Sequence, residues 1–363
     1  MKAVSVLAAE IFPGSMAVLS TAEAVSTEAA ACAVVKEGHM FRNSLWHRVL
    51  ALLIVSAFIH PGAVLAQAVP SPAPQRFQSA ESAVTALAQA VAKKDRAGLT
   101  AIFGPEAEAL LGPGDDQAGN EEFEAFDRAF HEAHQLVKIG DYQALLIGLD
   151  SWPLPVPLAQ DGGQWYFDVE AGLDELILRR IGRNELNAIE VCLAYFDAQR
   201  DYYQLNPEDS PRRHYARFLV SRPGHKDGLY WDVQKSGEPV SPLGELMALA
   251  AEQPESVPQK ERQPYHGYYY KILTRQGPNA PGGAWDYIEE DQMDGGFGLL
   301  AYPAEYALSG VMSFVINQSG QIYEKDLGPQ GFKAAAEMES FDPDSSWSRL
   351  RDIRVDQADA NGQ

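Results

Sequence analysis

The chain has 363 residues, and its 50 acidic and 29 basic side chains give a formal net charge of −21. This length favours two domains, because one hydrophobic core rarely organises more than about 250–300 residues. A hydrophobic content of 46% with 10% aromatic residues excludes a disordered chain. The acidic excess argues against nucleic acids and anionic membranes as partners, since both attract clusters of Lys and Arg.

The segment that begins at Met40 is typical of an export signal. Arg42 and Arg48 precede an uncharged apolar run over 49–59, and small residues follow up to Ala66. This order predicts a signal peptide over 40–66 that is cleaved between Ala66 and Gln67, and Ala66 and Ala68 offer a second choice of cleavage position. The apolar run is too short for a transmembrane helix, which needs about 20 residues. We therefore expect a periplasmic or secreted protein with no membrane span after signal removal.

Residues 1–39 precede this signal and lack its order of basic, apolar and small segments. A signal peptide lies at the N-terminus of its chain, so we interpret 1–39 as a start region assigned too early. Cleavage after residue 66 also discards Cys32 and leaves Cys192 as the one cysteine of the mature chain. We therefore expect a fold stabilised by packing, without an internal disulfide bond.

A first domain is predicted over 77–172, after a proline-containing linker over 67–76. Apolar residues recur at helical spacing in its first half and alternate in its second half, which indicates helices followed by strands. The predicted helices begin after the capping residues Ser79 and Asp95 or span Glu121–His134. The predicted strands are Tyr142–Leu149, Trp152–Leu158 and Gln164–Val169, and Asp161-Gly162-Gly163 predicts a hairpin turn between the last two. The prolines of the middle run make it an edge strand or an extended segment. Helices on a small antiparallel sheet make an α+β unit, similar in outline to the NTF-like (nuclear transport factor) fold.

A second domain is predicted over 173–351, with a disordered tail over 352–363. Its main helix is expected over Asn184–Tyr203, after a shorter piece that breaks at Gly182. The expected apolar stripe of that helix is Leu186, Ile189, Leu193, Phe196 and Tyr203, widened by Cys192 and Tyr195. A further helix is expected near Leu243–Ala251 and a closing one over Phe332–Met338, and strands are expected at Tyr265–Thr274, Trp285–Ile288, Phe297–Tyr302, Val311–Asn317 and Gln321–Lys325. A long helix on an antiparallel sheet keeps the whole chain in the α+β class.

Five segments together resemble one exported bacterial family. They are Ser-Ala-Glu-Ser-Ala-Val (79–84), Arg-Arg-Ile-Gly-Arg-Asn-Glu-Leu (179–186), Tyr-His-Gly-Tyr-Tyr-Tyr-Lys-Ile-Leu-Thr (265–274), Gly-Val-Met-Ser-Phe-Val-Ile-Asn (310–317) and Tyr-Glu-Lys-Asp-Leu-Gly (323–328). The family is catalogued as domain of unknown function 2950, and the resemblance spans about Phe77 to Trp347. It implies no reaction, cofactor or site.

The C-terminal half carries a second resemblance, in the order of its elements. An amphipathic helix with a Tyr-rich end precedes an acidic loop, a Gly-Tyr-Tyr-Tyr strand and a hairpin that reads Ser-Phe-Val-Ile-Asn and then Gly-Gln-Ile-Tyr. This order is similar to the globular domains of type IV pilins and pseudopilins. The resemblance implies a scaffold and leaves the function open.

Two histidines form the first candidate site. On the predicted third helix, His131 and His134 are three residues apart and share one face, so both imidazoles could bind one metal ion. The pair lacks the His-Glu-x-x-His spacing of zinc proteases and has no evident third ligand. The alternative is a polar helix face with no ligand, and we predict no cofactor.

His266 is the candidate general base of a catalytic alternative. On the predicted strand it alternates with Tyr268, Tyr270 and Ile272, and a carboxylate such as Asp227 or Glu305 could complete a hydrolytic site. The aromatic residues Tyr268, Tyr270, Trp285 and Tyr306 are candidates for ligand binding if exposed, and are sheet core if buried. Cys192 lies in the predicted helix, where a buried thiol is usually inert.

The sequence favours a soluble, exported, non-enzymatic protein that binds an envelope protein or a small ligand. The first alternative is an extracytoplasmic hydrolase that uses His266 with a nearby carboxylate. The second is a metal-binding protein centred on His131 and His134. A deep pocket in which His266 meets a carboxylate would favour the enzyme, whereas a solid core at the tyrosines would favour binding.

Overall fold

The computed structural model describes residues 73–111, 117–233, 238–244 and 263–350. The predicted start region, signal peptide, most of the linker and the tail lie outside these residues, as does most of the predicted helix near Leu243–Ala251. Among the described residues, no helix is both long and apolar enough to cross a membrane. Helices and antiparallel sheets are both present, which confirms the α+β class.

The chain divides into two compact units, Met1–Leu178 and Arg179–Gln363. In the first unit, the described helices are α1 (Ala80–Ala92), α2 (Arg96–Phe103), α3 (Ala107–Leu111) and α4 (Gln117–Glu132). The predicted caps of α1 and α2 are confirmed. Ser79 and Ser82 form a reciprocal capping box, and the Asp95 carboxylate accepts a hydrogen bond from the Gly98 N–H at 2.9 Å.

The strands of the first unit are β1 (His134–Ile139), β2 (Tyr142–Ile147), β3 (Trp152–Pro153), β4 (Leu158–Asp161) and β5 (Gln164–Phe167). They form one antiparallel sheet in the order β1-β2-β4-β5, with β3 also paired to β2. The predicted two-residue hairpin at Gly162-Gly163 joins β4 to β5, and both glycines have positive φ, as a type I′ turn requires. Strand β1 was not predicted, because its first residue continues the helical pattern of α4.

Helix α5 (Val169–Leu205) contains the boundary between the units and corrects the predicted helix Asn184–Tyr203. It runs unbroken through Gly182, because a helical glycine costs only about 1 kcal/mol relative to alanine. The predicted apolar stripe is confirmed at Ile189, Cys192 and Tyr195, which are buried, and is wrong at its ends, since Leu186 is 63% exposed and Tyr203 is exposed as well. The buried face of the helix also carries Ala188, Gln199 and Tyr202.

The second unit contains short strands that precede and flank its main sheet. These are β6 (Phe218–Val220), β7 (Gly228–Tyr230), β9 (Arg275–Gln276), β10 (Trp285–Asp286), β11 (Ile288–Glu289), β12 (Gln292–Met293), β16 (Ser340–Phe341) and β17 (Ser348–Arg349). The longer strands are β8 (Tyr268–Leu273), β13 (Gly298–Pro303), β14 (Met312–Asn317) and β15 (Ile322–Asp326), and the order in the main sheet is β17-β15-β14-β13-β8.

Both faces of this main sheet are covered. On one face, Tyr268, Phe314 and Ile316 pack in the same buried cluster as Tyr195 of α5. On the other face, Tyr269, Leu300, Tyr302, Val315 and Phe341 form a second cluster with Ala335 of helix α6 (Gly331–Glu337). Successive residues of a strand point to opposite faces, so each longer strand contributes to both clusters.

Candidate functional site

A groove of about 710 Å³ lies in the first unit, between α1 and the junction of α4 with β1. One wall is a face of α1, and the other combines the end of α4 with the start of β1. Its lining residues are Glu81, Val84, Thr85, Ala88, Gln89, Ala92, Phe130, His131, His134, Gln135 and Leu136. The volume lies within the range of about 300–1,000 Å³ that is typical of small-molecule sites.

The α1 wall exists because one face of this helix carries small side chains. Its lining residues recur every three or four positions, and Thr85, Ala88 and Ala92 are too short to fill the space beside them. The neighbouring face buries Leu87 and Val91 in the unit's core. The helix is therefore anchored on one side and leaves the other side open.

An ion pair ties the end of α1 to α4. The Lys94 Nζ lies 2.8 Å from the Glu124 Oε1. The Lys94 ammonium holds the pKa of the Glu124 carboxyl below its usual value, through a hydrogen bond and its charge. Both side chains are exposed, so this pair adds little to the stability of the unit.

Phe130 provides the apolar floor of the groove. It is 9% exposed, and its ring lies parallel to those of Phe126 and His134, with centroids 6.2 and 3.9 Å away. Stacking holds the His134 imidazole flat against the floor. An aromatic floor with an imidazole beside it is suited to apolar or aromatic groups of a ligand.

The two predicted histidines both line this groove. In each of them, Nδ1 lies within hydrogen-bond distance of a backbone carbonyl oxygen. The Nδ1 of His131 lies 2.8 Å from the Asp127 carbonyl oxygen, and that of His134 lies 3.0 Å from the Phe130 carbonyl oxygen. A carbonyl only accepts hydrogen bonds, so each Nδ1 carries a hydrogen, and in a neutral ring Nε2 is then an acceptor. The groove can therefore accept hydrogen bonds from a ligand's N–H or O–H groups.

The prediction that both histidines share one helical face is wrong. His131 is in the last turn of α4, whereas His134 is the first residue of β1. Within the described ranges, no group of three or more His, Cys, Asp or Glu residues is arranged to hold a metal ion.

His266 lies on a turn, which corrects its predicted position on a strand. His266 and Gly267 have φ of 48° and 75°, and the N–H groups of Tyr265 and Tyr268 donate to each other's carbonyl oxygens at 2.9 and 3.0 Å. This is a two-residue hairpin turn, and the side chain of His266 is exposed on it. Strand β8 begins only at Tyr268, two residues after His266.

Asp227, the first carboxylate proposed to assist His266, has a structural role. It is buried, and its oxygens accept hydrogen bonds from the Arg222 N–H at 2.9 Å and the Arg222 Nε–H at 2.5 Å. These bonds close the loop between β6 and β7. The Asp227 carboxylate is thus occupied by a single arginine.

Glu305 and Tyr306 line a smaller pocket of the second unit, of about 360 Å³. The Tyr306 hydroxyl donates to the Asp326 carboxylate at 3.1 Å, and burial together with the Asp326 carboxylate raises the pKa of Tyr306. His266 is not among the residues that line this pocket. The structure therefore brings two of the predicted residues together, without the predicted base.

The remaining aromatic candidates differ in exposure. Tyr268 and Tyr270 are buried in the core of the second unit, so neither ring presents a free face to a ligand. Trp285 is 41% exposed, and its indole N–H donates to the Gly295 carbonyl at 3.0 Å. Cys192 is fully buried, and burial raises the pKa of its thiol to about 12, which keeps it protonated and unreactive.

Most of the groove was invisible to sequence reasoning. Thr85, Ala88 and Gln89 look like ordinary residues of a solvent-facing helix side, and no spacing marks them as a binding wall. The one available signal is the His131–His134 pair, for which the sequence leaves a metal site and a polar helix face without a ligand as alternatives.

Comparison with known proteins assigns the chain to a family but gives no activity, ligand or site. A family model described as "Protein of unknown function (DUF2950)" matches residues 74–350, which is most of the chain. No curated protein and no solved structure matches the chain. The resemblance to this family is confirmed, whereas the resemblance to pilin domains is not.

Proposed function

We propose that this chain, which belongs to the DUF2950 family of proteins of unknown function, is an exported, non-enzymatic protein that binds its ligand in the groove of the first unit. The observation that carries the proposal is the groove itself, with its apolar floor at Phe130 and its polar rim of His131, His134 and Gln135. Ligand sites are typically concave and mostly apolar, with a few polar groups that orient the ligand.

Binding is favoured over hydrolysis by the surroundings of the candidate catalytic groups. His266 is exposed on a turn, and Asp227 is bound by Arg222. Glu305 lines a pocket whose lining does not include His266. A general base needs a reacting group within hydrogen-bond reach and shielding from bulk water, and neither is evident at His266.

The first experiment tests the groove by filling it. Replacing Ala88 with Trp places a large ring between the two walls, and Ala97→Trp is the matched control, because Ala97 is exposed on α2 away from the groove. Each variant is purified in its exported form from the native host, and the retained molecules are identified by mass spectrometry. We expect one molecule to be retained by the wild type and by Ala97→Trp, and to be lost from Ala88→Trp.

Two outcomes contradict the binding proposal. One is a wild-type protein that retains no molecule under conditions in which it is folded. The other is a molecule retained equally by the Ala88→Trp variant, which would place the ligand elsewhere.

The second experiment tests export. The basic, apolar and small-residue order over 40–66 supports cleavage before Gln67. Sequencing of the exported protein's N-terminus is therefore expected to begin at Gln67. The Ala66→Phe variant is expected to remain unprocessed, because the cleavage site requires a small residue. An intact N-terminus at Met1 in cytosolic protein would refute this part of the proposal.

A further inference from the structure

Strand β1 lies at an open edge of the first unit's sheet. At the opposite edge, Phe77 pairs with Trp165 of β5 through two backbone hydrogen bonds of 2.8 Å. No strand within the described ranges pairs with the outer side of β1. An open edge presents unpaired backbone N–H and C=O groups, which can add another strand.

The register identifies the outward-facing groups. The Leu145 carbonyl of β2 accepts from the Leu154 N–H at 2.8 Å, so it points away from β1. Leu136 is opposite Leu145 in the register of β1 and β2. Because Leu145 points its backbone groups away from β1, the two residues form a non-hydrogen-bonded pair, and the backbone groups of Leu136 point away from β2. By alternation, the N–H and C=O groups of His134, Leu136 and Lys138 face the open edge.

A second hydrogen bond supports this alternation. The Gly148 N–H donates to the Ala133 carbonyl at 2.9 Å, which places Ala133 among the residues that bond toward β2. His134, the next residue, must then point its backbone groups outward. The two hydrogen bonds therefore identify the same outward-facing residues of β1.

The open edge and the groove share residues. His134 and Leu136 have outward-facing backbone groups and also line the groove beside α1. A strand that adds to β1 would thus place alternate side chains next to the groove. In this mode of recognition, the main chain supplies affinity and the pocket supplies specificity.

Charge indicates which strand would bind. The chain carries a net charge of −21, and Glu81 is the one acidic residue that lines the groove. Pairing with a second copy would bring two strongly acidic chains together, whereas a basic segment would be attracted. Because Glu81 is the one carboxylate of the lining and Lys138 lies outside it, a basic side chain of the partner would lie beside Glu81 and not beside Lys138.

We propose that the occupant of the groove is an extended, basic peptide segment of another protein, which adds as a strand to the outer edge of β1 and places an apolar side chain against the exposed His134 imidazole that covers Phe130. This inference rests on the proposed binding function and names the class of its ligand. A segment of about six residues matches the length of β1.

The test uses the exported protein and a displayed library of random eight-residue peptides. Enriched peptides are expected to alternate apolar and polar residues, to carry net positive charge and to lack proline in the centre. The most enriched peptide is then labelled with fluorescein and measured by fluorescence anisotropy. Its affinity is expected to fall as salt increases.

Two substitutions at Lys138 test whether the peptide bonds to the open edge of β1. Lys138→Pro removes an outward N–H but no bond to β2, so the sheet is retained, and Lys138→Ala keeps that N–H as the matched control. We expect about tenfold weaker binding for the proline variant, as for the loss of one main-chain hydrogen bond. We expect less than about threefold change for the alanine variant, which keeps that bond.

Methylation of the peptide backbone gives an independent readout that leaves the protein unchanged. Methyl groups on alternate peptide nitrogens are expected to abolish binding in one register and to be tolerated in the other. Equal tolerance in both registers would overturn strand addition.

Failure of the inference and failure of the proposed function give different results. If Ala88→Trp abolishes ligand retention while Lys138→Pro and backbone methylation have no effect, the groove binds a ligand that is not a strand, and the inference is wrong. Enrichment of acidic peptides, or a dimer that Lys138→Pro dissociates, would also overturn it, because the occupant would then differ in charge or be a second copy.

Discussion

At the scale of single residues, two tyrosines of β8 differ in one hydrogen bond. Tyr268 and Tyr270 are both buried on the same face of the strand, and burial raises the pKa of both hydroxyl groups. The Tyr268 hydroxyl donates to the Met312 carbonyl at 2.8 Å. The Tyr270 hydroxyl is buried without a hydrogen-bond partner among the described residues.

This difference predicts opposite effects of the same substitution. Tyr270→Phe is expected to raise the free energy of unfolding by about 1 kcal/mol, because it removes an unpaired buried hydroxyl. Tyr268→Phe is expected to lower it by about 1 kcal/mol and leave the Met312 carbonyl unpaired. Urea unfolding of the second unit measures both. A loss of stability in Tyr270→Phe equal to that in Tyr268→Phe would mean that the Tyr270 hydroxyl is bonded.

At the scale of elements, α5 contains two glycines in contrasting surroundings. A Cβ added at Gly172 would lie 2.7 Å from the Val156 Cγ2 and 3.0 Å from its Cα. A Cβ added at Gly182 would have no atom within 4 Å. Gly172 is therefore required by close packing, whereas Gly182 is not.

The two glycines form a matched pair of substitutions. Gly182→Ala is expected to stabilise the protein by about 0.5–1 kcal/mol, through helix propensity alone. Gly172→Ala is expected to destabilise it by about 1–3 kcal/mol, because the new methyl group overpacks against Val156. Thermal unfolding of both variants, compared with the wild type, measures the difference. Stabilisation by Gly172→Ala would contradict the packing between α5 and Val156.

Strand β15 carries a carboxyl group that is costly to ionise. Burial and the charge of Glu185 raise the pKa of Glu324. The Glu185 carboxylate itself accepts the N–H groups of Val311 and Met312, both at 2.9 Å, and so joins α5 to the start of β14. The negative charge of Glu185 therefore makes ionisation of the Glu324 carboxyl less favourable in the folded protein.

This environment predicts a pH-dependent effect of Glu324→Gln. A carboxyl whose pKa is raised on folding binds its proton more tightly in the folded state, so ionisation at neutral pH lowers stability. The glutamine variant is expected to be more stable than the wild type at pH 7, and the gain is expected to shrink as the pH falls below Glu324's raised pKa. Glu190→Gln, at an exposed position of α5, controls for the loss of one charge. A gain independent of pH would contradict this explanation.

At the scale of the whole molecule, the features that the sequence predicted are those that depend on residues close together in the chain. The caps at Ser79 and Asp95 and the Gly162-Gly163 turn were predicted because each depends on neighbouring residues alone. The start of β1 at His134 was missed, because the helical pattern of α4 continues into it and only pairing with β2 makes it a strand. Tertiary contacts override local propensity in such cases.

The groove, and the polar part of the buried face of α5, were not predicted for a related reason. Gln199 looks like a surface residue in the sequence, but it is buried, and its amide bonds the N–H and the C=O of Ala216 at 2.8 and 2.9 Å. Likewise, the open side of α1 becomes a wall only when β1 is placed opposite it. These features follow from long-range packing, which the pattern of one helix does not encode.

The Phe77–Trp165 pairing has a consequence for how the chain is trimmed. Cleavage before Gln67 would leave ten residues ahead of Phe77 and keep β5 covered. A protease that cut beyond Phe77 would remove this pairing and expose the outer backbone groups of β5. The sheet would then have two open edges, and the negative charge of the chain would be its remaining protection against pairing with further copies.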